Sequence, residues 1–196
     1  MARKPANLEP GKIRETVLAA ALHLFAMRGY FNTSVPEIAR AAQVSVGSIY
    51  HHFKDKEDVA RALYYGLMDG LQGELAVIAE RHESAHDRCR AIMAMLFQLT
   101  ENNREAMEFM LHAKHREFLP DDPPVCSSRP FATMRAFVEA GMDRGEVRRA
   151  DPMVATASLF GGAIRLITAR LDGALDTPLP GLLDACWECG WRGIAA

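Results

Sequence analysis

Along residues 11–30, GKIRETVLAAALHLFAMRGY, apolar side chains return every three or four positions: Ile13, Val17, Ala20, Ala21, Leu24 and Phe25. That interval places them on one face of a helix, and Gly29 supplies the stop. The next run, TSVPEIARAA, opens on start signals. Ser34 can cap a helix, Pro36 sits in the first turn where no amide partner is needed, and Glu37 completes a capping box. SVGSIYHHF reads as a third helix capped by Ser45. A fourth begins at DKED, with Asp55 as cap and Asp58 three residues on, and its pattern runs to Arg81. The first three helices are short and share one small core: Leu24, Phe25, Ile38, Ala39, Val44, Ile49 and Phe53.

Beyond them the periodic segments lengthen, to residues 84–101, 103–118, 128–144, 152–175 and 180–193. ESAHD, TENN, the proline-rich LPDDPPVCSS, RGEVRRADP and DTPLP separate them. No strand-like alternation and no internal repeat stands out. The pattern predicts an all-α chain of two domains, residues 1–56 and residues 57–196. In the first, residues 34–53 form two short helices joined by a tight turn at Gln43–Val44. That is helix-turn-helix geometry, in which the second helix enters the major groove and the first crosses the DNA backbone.

The residues of the third helix suit that task. Gly47 leaves room for close approach, Ser48 can bond a base or a phosphate, and Tyr50 and His51 can reach DNA. His52 and Lys56 add donors for phosphates, and Thr33 with the amides at the start of helix two can hold another. Charge points the same way. Residues 1–56 carry eight Lys and Arg against four Asp and Glu, whereas residues 57–196 carry fifteen against twenty-one, so a basic head precedes an acidic body. The composition, 49% hydrophobic and 24% charged, is that of a globular protein. No apolar run reads as a membrane span, and the N-terminal stretch lacks a signal peptide's apolar core. Four cysteines, Cys89, Cys126, Cys186 and Cys189, are too few for a disulfide framework and fit a reducing cytoplasm.

The stretch LHLFAMRGYFNTSVPEIARAAQVSVGSIYHHFKDKEDVARAL resembles the DNA-binding region of the tetracycline-repressor (TetR/AcrR) family of bacterial transcriptional regulators. The resemblance rests on Phe25, Gly29-Tyr30, Thr33, Ile38-Ala39, Val44-Ser45, Gly47-Ser48-Ile49-Tyr50, His52-Phe53 and Lys56-Glu57, within residues 11–63. It implies a three-helix DNA-binding domain followed by a larger helical ligand-binding and dimerisation domain. It also implies that Val46, Ser48 and His51 face base edges, while Thr33, Tyr50, His52 and Lys56 hold phosphates. Ser34, Ser45 and Gly47 complete the expected DNA contacts. One position departs from the family pattern: Gln43 stands where the turn usually has glycine. The tail carrying Arg3 and Lys4 is a further candidate for the adjacent groove.

Other tempting patterns lead elsewhere. HESAH, residues 82–86, fits the H-E-x-x-H pattern, in which His82 and His86 bind zinc and Glu83 is the base. Such a pair needs one unbroken helix, whereas Ser84 and Asp87 form a cap between the two histidines. CWEC places Cys186 and Cys189 late in a helical chain, where small packed residues are the plainer reading than a thiol or metal switch. His112 and His115, read on one helical face, are the remaining metal candidate. No catalytic residue, metal or cofactor is assigned.

The second domain is dense in methionine and phenylalanine. Met93, Phe97, Met107, Met110, Phe131 and Met134 are candidates to line an adaptable pocket for an apolar or aromatic molecule, with His115 and Arg135 orienting a polar group. PMVATASLFGGAIRLITARL sets Phe160, Gly161, Ile164 and Ile167 at helical intervals. With Leu183 and Trp187 of the last helix these resemble the family's intersubunit four-helix bundle. The expectation is a cytoplasmic, homodimeric, ligand-responsive repressor of a palindromic double-stranded DNA operator, with a small-molecule effector and no membrane partner.

Overall fold

The computed structural model of the chain describes residues 10–121 and 127–196. Arg3, Lys4 and Cys126 lie outside the described residues. Within them the order is α1 (Pro10–Arg28), α2 (Val35–Ala41), α3 (Val46–His52), α4 (Lys56–Arg81), α5 (Ala85–Asn102), α6 (Arg104–His112), α7 (His115–Phe118), α8 (Arg129–Asp143), α9 (Pro152–Leu171), a 3₁₀ turn (Leu179–Leu182) and α10 (Leu183–Arg192). The fold is all-α; one isolated bridge, Val147 to Ala195, is the only β-type pairing among the described residues.

Local chemistry explains several helix starts. The Glu37 carboxylate accepts from the Ser34 amide at 2.9 Å and from its hydroxyl at 2.7 Å, so the reach-back half of the capping box is made. The same two contacts hold the Glu37 carboxyl below its ordinary range. Ser45 accepts from the Ser48 amide, Ser84 from the Asp87 amide, and Asp151 from the amides of Met153 and Val154.

Two compact units result. The first comprises Met1–Leu67 and Glu108–Pro124, the second Met68–Met107 and Val125–Ala196. The first unit therefore reaches past residue 56, because Val59, Ala60, Leu63 and Tyr64 of α4 are buried along with Val17, Ala21, Phe25, Ile38, Ile49 and Phe53. In the second, α5 packs on α8, α9 and α10, and α9 also packs on α8 and α10. A bidentate pair joins two of these helices, Arg170 donating to both oxygens of Glu101 at 3.0 Å while the Leu179 amide donates to Glu101 Oε1. These bonds hold the Glu101 carboxyl below its usual range.

Two expectations are corrected. The run 103–118 is not one helix: α6 ends at His112 and α7 begins at His115, so His112 and His115 share no helical face. The break turns His115 and Phe118 inward, where Phe118 stacks on Tyr30 with centroids 4.2 Å apart and His115 lies 4.9 Å from Phe109. The second concerns α9, whose 20 residues include an 18-residue window of mean hydropathy 1.3 and which is long and apolar enough to cross a membrane by length and composition. Its buried side, Ala155, Thr156, Leu159, Phe160, Ala163, Ile167 and Leu171, is accounted for by packing within the second unit.

Candidate nucleic-acid interface

The turn between α2 and α3 is built by hydrogen bonds that close the C-terminus of α2. The Gln43 amide donates to the Arg40 carbonyl at 3.2 Å and the Val44 amide to the Ala39 carbonyl at 3.0 Å, which is a Schellman closure. That closure needs a left-handed residue, and Gln43 supplies it at φ 56°. A side chain in this conformation costs about 1–2 kcal/mol that glycine avoids, partly offset by glycine's freer unfolded chain. Gln43→Gly should therefore raise unfolding stability by roughly 0.5–1 kcal/mol. A urea titration showing no gain, or a loss, would mean that the glutamine side chain makes a compensating contact.

α3 is fastened from beneath and open above. Ile49 and Phe53 are buried, while Tyr50 is 54% exposed and Val46 36% exposed. Gly47 and His51 also stand at the surface, and Ser48 and His52 are half-buried. A Cβ on Gly47 would meet only the Ser45 hydroxyl, at 3.7 Å, so the backbone here is open to close approach. Ser45 and Ser48 share a 2.7 Å hydroxyl contact, and the His51 ring stands edge-on to His52 at 5.2 Å. Tyr50 lines a surface hollow with Ser34, Glu37 and Lys56, beside the start of α2.

Two expected phosphate ligands are committed inward instead. Thr33 is buried, and its hydroxyl donates to the Gly29 carbonyl at 3.0 Å. The Lys56 ammonium donates to the carbonyls of Tyr30 at 2.9 Å and Thr33 at 2.8 Å, and sits over the Tyr30 ring at 4.1 Å. Burial pushes the Lys56 pKa down and, with Glu57 and Asp55 adding to it, pushes the Tyr30 phenol up. Lys56 thus clamps the α1–α2 corner to the start of α4. Its residue type announced a cation, but no sequence signal named the carbonyls it would find.

The remaining candidates divide between the units. Met93, Phe97, Met107 and Met134 are buried in the second, with Phe131 and Arg135 half-buried; Met110 and His115 are buried in the first. Along α9 and α10, Phe160, Ile167 and Trp187 are buried within the unit, Ile164 and Leu183 are half-buried, and Gly161 is exposed. Gly161 and Gly162 meet nothing within 4 Å of an added Cβ.

The zinc pattern is broken in space as well as in sequence. α4 ends at Arg81, and Arg88 donates to the carbonyls of Ala79 and His82, closing the helix end. His86 is spoken for by Asp87 at 2.9 Å and by the Trp187 indole at 3.3 Å. No group of three or more His, Cys, Asp or Glu that could hold a metal occurs among the described residues. Cys89, Cys186 and Cys189 are free thiols. Burial pushes the Cys89 thiol up to about 12, and burial with the neighbouring Cys189 raises Cys186, the opposite of what a reactive thiolate needs.

His115 carries a pH dependence. Neither ring nitrogen has a hydrogen-bond partner, and burial lowers its pKa, with the nearby Phe109 and Met110 carbonyls pulling weakly the other way. Above the ordinary imidazole value of 6.5 the ring is neutral in folded and unfolded chains alike. As pH falls through that value the unfolded chain takes up a proton that the folded chain resists, so stability declines until the lower folded pKa is passed. Urea midpoints compared at about pH 7.5 and about pH 5.5 should show this decline, and His115→Phe should shrink it. Equal declines in both proteins would place the titrating group elsewhere.

A short helix carried by a buried anchor, with its outer face free and a tight left-handed turn before it, defines the helix-turn-helix class. Residues 17–63 match the family described as bacterial regulatory proteins, tetR family. Over those residues the chain is similar to that family. It is 49% identical over 75 residues to the HTH-type transcriptional regulator AcrR of Shigella flexneri, covering 38% of this chain and 34% of that one. The chain spans about half the length, or less, of the curated relatives it matches. Among solved structures, a TetR family transcription regulator from Marinobacter aquaeolei VT8 superposes with a TM-score of 0.80 at 20% identity, covering 94% of this chain and 96% of that one. The transcriptional regulator FadR of Bacillus subtilis, solved in complex with stearoyl-CoA, superposes with a TM-score of 0.75 at 20% identity, covering 92% and 98%. At such identities the two structures speak for the fold alone.

Proposed function

We propose that the chain is a ligand-responsive transcriptional repressor that binds a palindromic operator as a homodimer and acts in the cytoplasm. The observation that carries this reading is the free outer face of α3, with Val46, Gly47, Tyr50 and His51 exposed above a buried Ile49. An exposed aromatic and an exposed imidazole on a capped helix suit groove and backbone contacts. Ser34, Ser45, Ser48 and His52 stand beside them as further donors. Thr33 and Lys56 support the corner and act on DNA through its geometry.

The exposed small face at Gly161 and Gly162 supports dimerisation through α9 and α10, with Ile164 and Leu183 at its edge. Two recognition helices in such a dimer would meet successive major grooves, roughly 34–36 Å apart. The FadR neighbour was solved in complex with stearoyl-CoA, which supports an apolar effector for this chain as well. Release follows if that molecule binds more tightly to the conformation that fits DNA less well. This reading assigns the chain no catalysis.

The test is selection of binders from a random duplex library across a salt series. An enriched palindrome whose affinity falls with salt is the expected result. Tyr50→Ala should weaken binding to that palindrome about tenfold, a loss of about 1.4 kcal/mol, and to variant sequences by a similar factor. His51→Ala should instead change which base is preferred. Unchanged affinity in Tyr50→Ala, or no enrichment by folded protein at low salt, would sink the reading.

A further inference from the structure

An aromatic-walled cleft lies wholly within the first unit. At the end of α1 and beside α6 and α7 is a cleft of about 330 Å³, within the range of small-molecule pockets. None of the residues assigned to the effector lines it. Its wall is a continuous set of rings. Phe25 stacks against Phe109 at 6.0 Å, Tyr30 on Phe118 at 4.2 Å, and Phe31 stands edge-on to Tyr30 at 5.2 Å and to Phe118 at 6.4 Å. Phe31 is 62% exposed. A lone exposed phenylalanine needs no explanation, but this one extends an aromatic wall into solvent at the mouth of a cleft.

The rim chooses among aromatic molecules. Glu108 and Glu117 border the cleft, with Lys114 the only Lys or Arg lining it among the described residues. Glu117 is held by Lys114 at 3.0 Å and Glu108 by His112 at 2.7 Å. Lys114 is 76% exposed, and a surface pair of that kind is worth little, so a ligand cation can displace it from Glu117 cheaply. An anion would face two carboxylates. The same ring cluster already holds one cation, the Lys56 ammonium over the Tyr30 ring at 4.1 Å.

We propose that this cleft binds a small planar aromatic molecule carrying a cationic amine, with Phe31 as the stacking surface and Glu108 and Glu117 as counter-charges. Because the cleft is bordered by the α1–α2 corner, its occupant would be felt by the helix-turn-helix.

Equilibrium dialysis of the full chain without DNA tests it, using one ring system with three charges: naphthylmethylammonium, naphthylmethanol and naphthoate. The ammonium should bind about tenfold more tightly than the alcohol, and naphthoate more weakly than either. Phe31→Ala should weaken the ammonium about tenfold with an unchanged melting temperature. The double variant Glu108→Gln with Glu117→Gln should erase the preference for ammonium over alcohol. Equal affinity for the three probes, no binding at millimolar concentration, or full affinity in Phe31→Ala would each overturn the proposal. Operator binding by the same preparation is a separate readout. Its retention without probe binding leaves the repressor reading standing and removes this site; probe binding without DNA binding does the reverse.

Discussion

Gly190→Ala should destabilise the protein by about 2 kcal/mol, although alanine is the better helix former. A Cβ built on Gly190 would lie 2.8 Å from the Leu159 carbonyl oxygen and 3.4 Å from its Cδ1. The first contact is with backbone in the middle of α9, so no side-chain rotation relieves it. Either α10 shifts away from α9, uncovering apolar surface around Leu159 and Trp187, or the strain stays. Glycine inside a helix costs roughly 0.5–1 kcal/mol relative to alanine, and here it lets two helices touch. Gly161→Ala is the control. Its added methyl meets nothing within 4 Å, so propensity alone should raise the subunit's stability by up to about 1 kcal/mol. Thermal unfolding should separate the two by several degrees in opposite directions. If Gly190→Ala were as stable as the parent, the α9–α10 approach described above would be wrong. If Gly161→Ala stabilised the subunit but abolished dimer in sedimentation, the partner's helix would lie where the dimer reading needs it.

Lys56→Met should cost about 2 kcal/mol of unfolding free energy and weaken DNA binding as a consequence. Methionine keeps the length of the apolar stem but removes two charge-assisted hydrogen bonds, leaving the Tyr30 and Thr33 carbonyls without them. It also removes the cation from the Tyr30 ring. A lysine reaching out to a phosphate predicts something different: intact stability with a smaller salt dependence of DNA binding, by about one counterion. Urea unfolding of DNA-free protein therefore decides between clamp and ligand. Unchanged stability would return Lys56 to the phosphate role that its residue type and family resemblance imply.

The helix-turn-helix was legible in the sequence because its determinants are local. Apolar spacing in α1, the Ser34–Glu37 box, the Ser45 cap and a tight turn at Gln43 are each decided within a few residues, and the backbone there follows them. Gln43 takes the left-handed conformation that the family's usual glycine there implies, although it carries a side chain. The Ser84–Asp87 cap likewise separates His82 from His86 by local chemistry. Length and composition, however, do not tell a core helix from a spanning one, as α9 shows.

What the sequence could not say was which way a correctly placed helix turns and what its polar atoms meet. The run 103–118 is helical in pattern, yet it breaks because Phe118 and His115 gain aromatic neighbours by turning inward. Of the residues expected between two subunits, Phe160, Ile167 and Trp187 are buried within one. Gly190, beside them in the same pattern, is the glycine on which the close approach of α9 and α10 depends. Helical periodicity makes a stripe of apolar residues visible but not the neighbour that covers it. The sequence by itself determined the all-α class and the helix-turn-helix, since capping, periodicity and turn conformation are near-neighbour effects. Only the tertiary structure decided that Lys56 binds the Tyr30 and Thr33 carbonyls, that His115 is buried without a hydrogen-bond partner, and that an aromatic cleft opens beside Phe31. Those contacts join residues far apart in the chain, and they exist only once packing has brought their partners together.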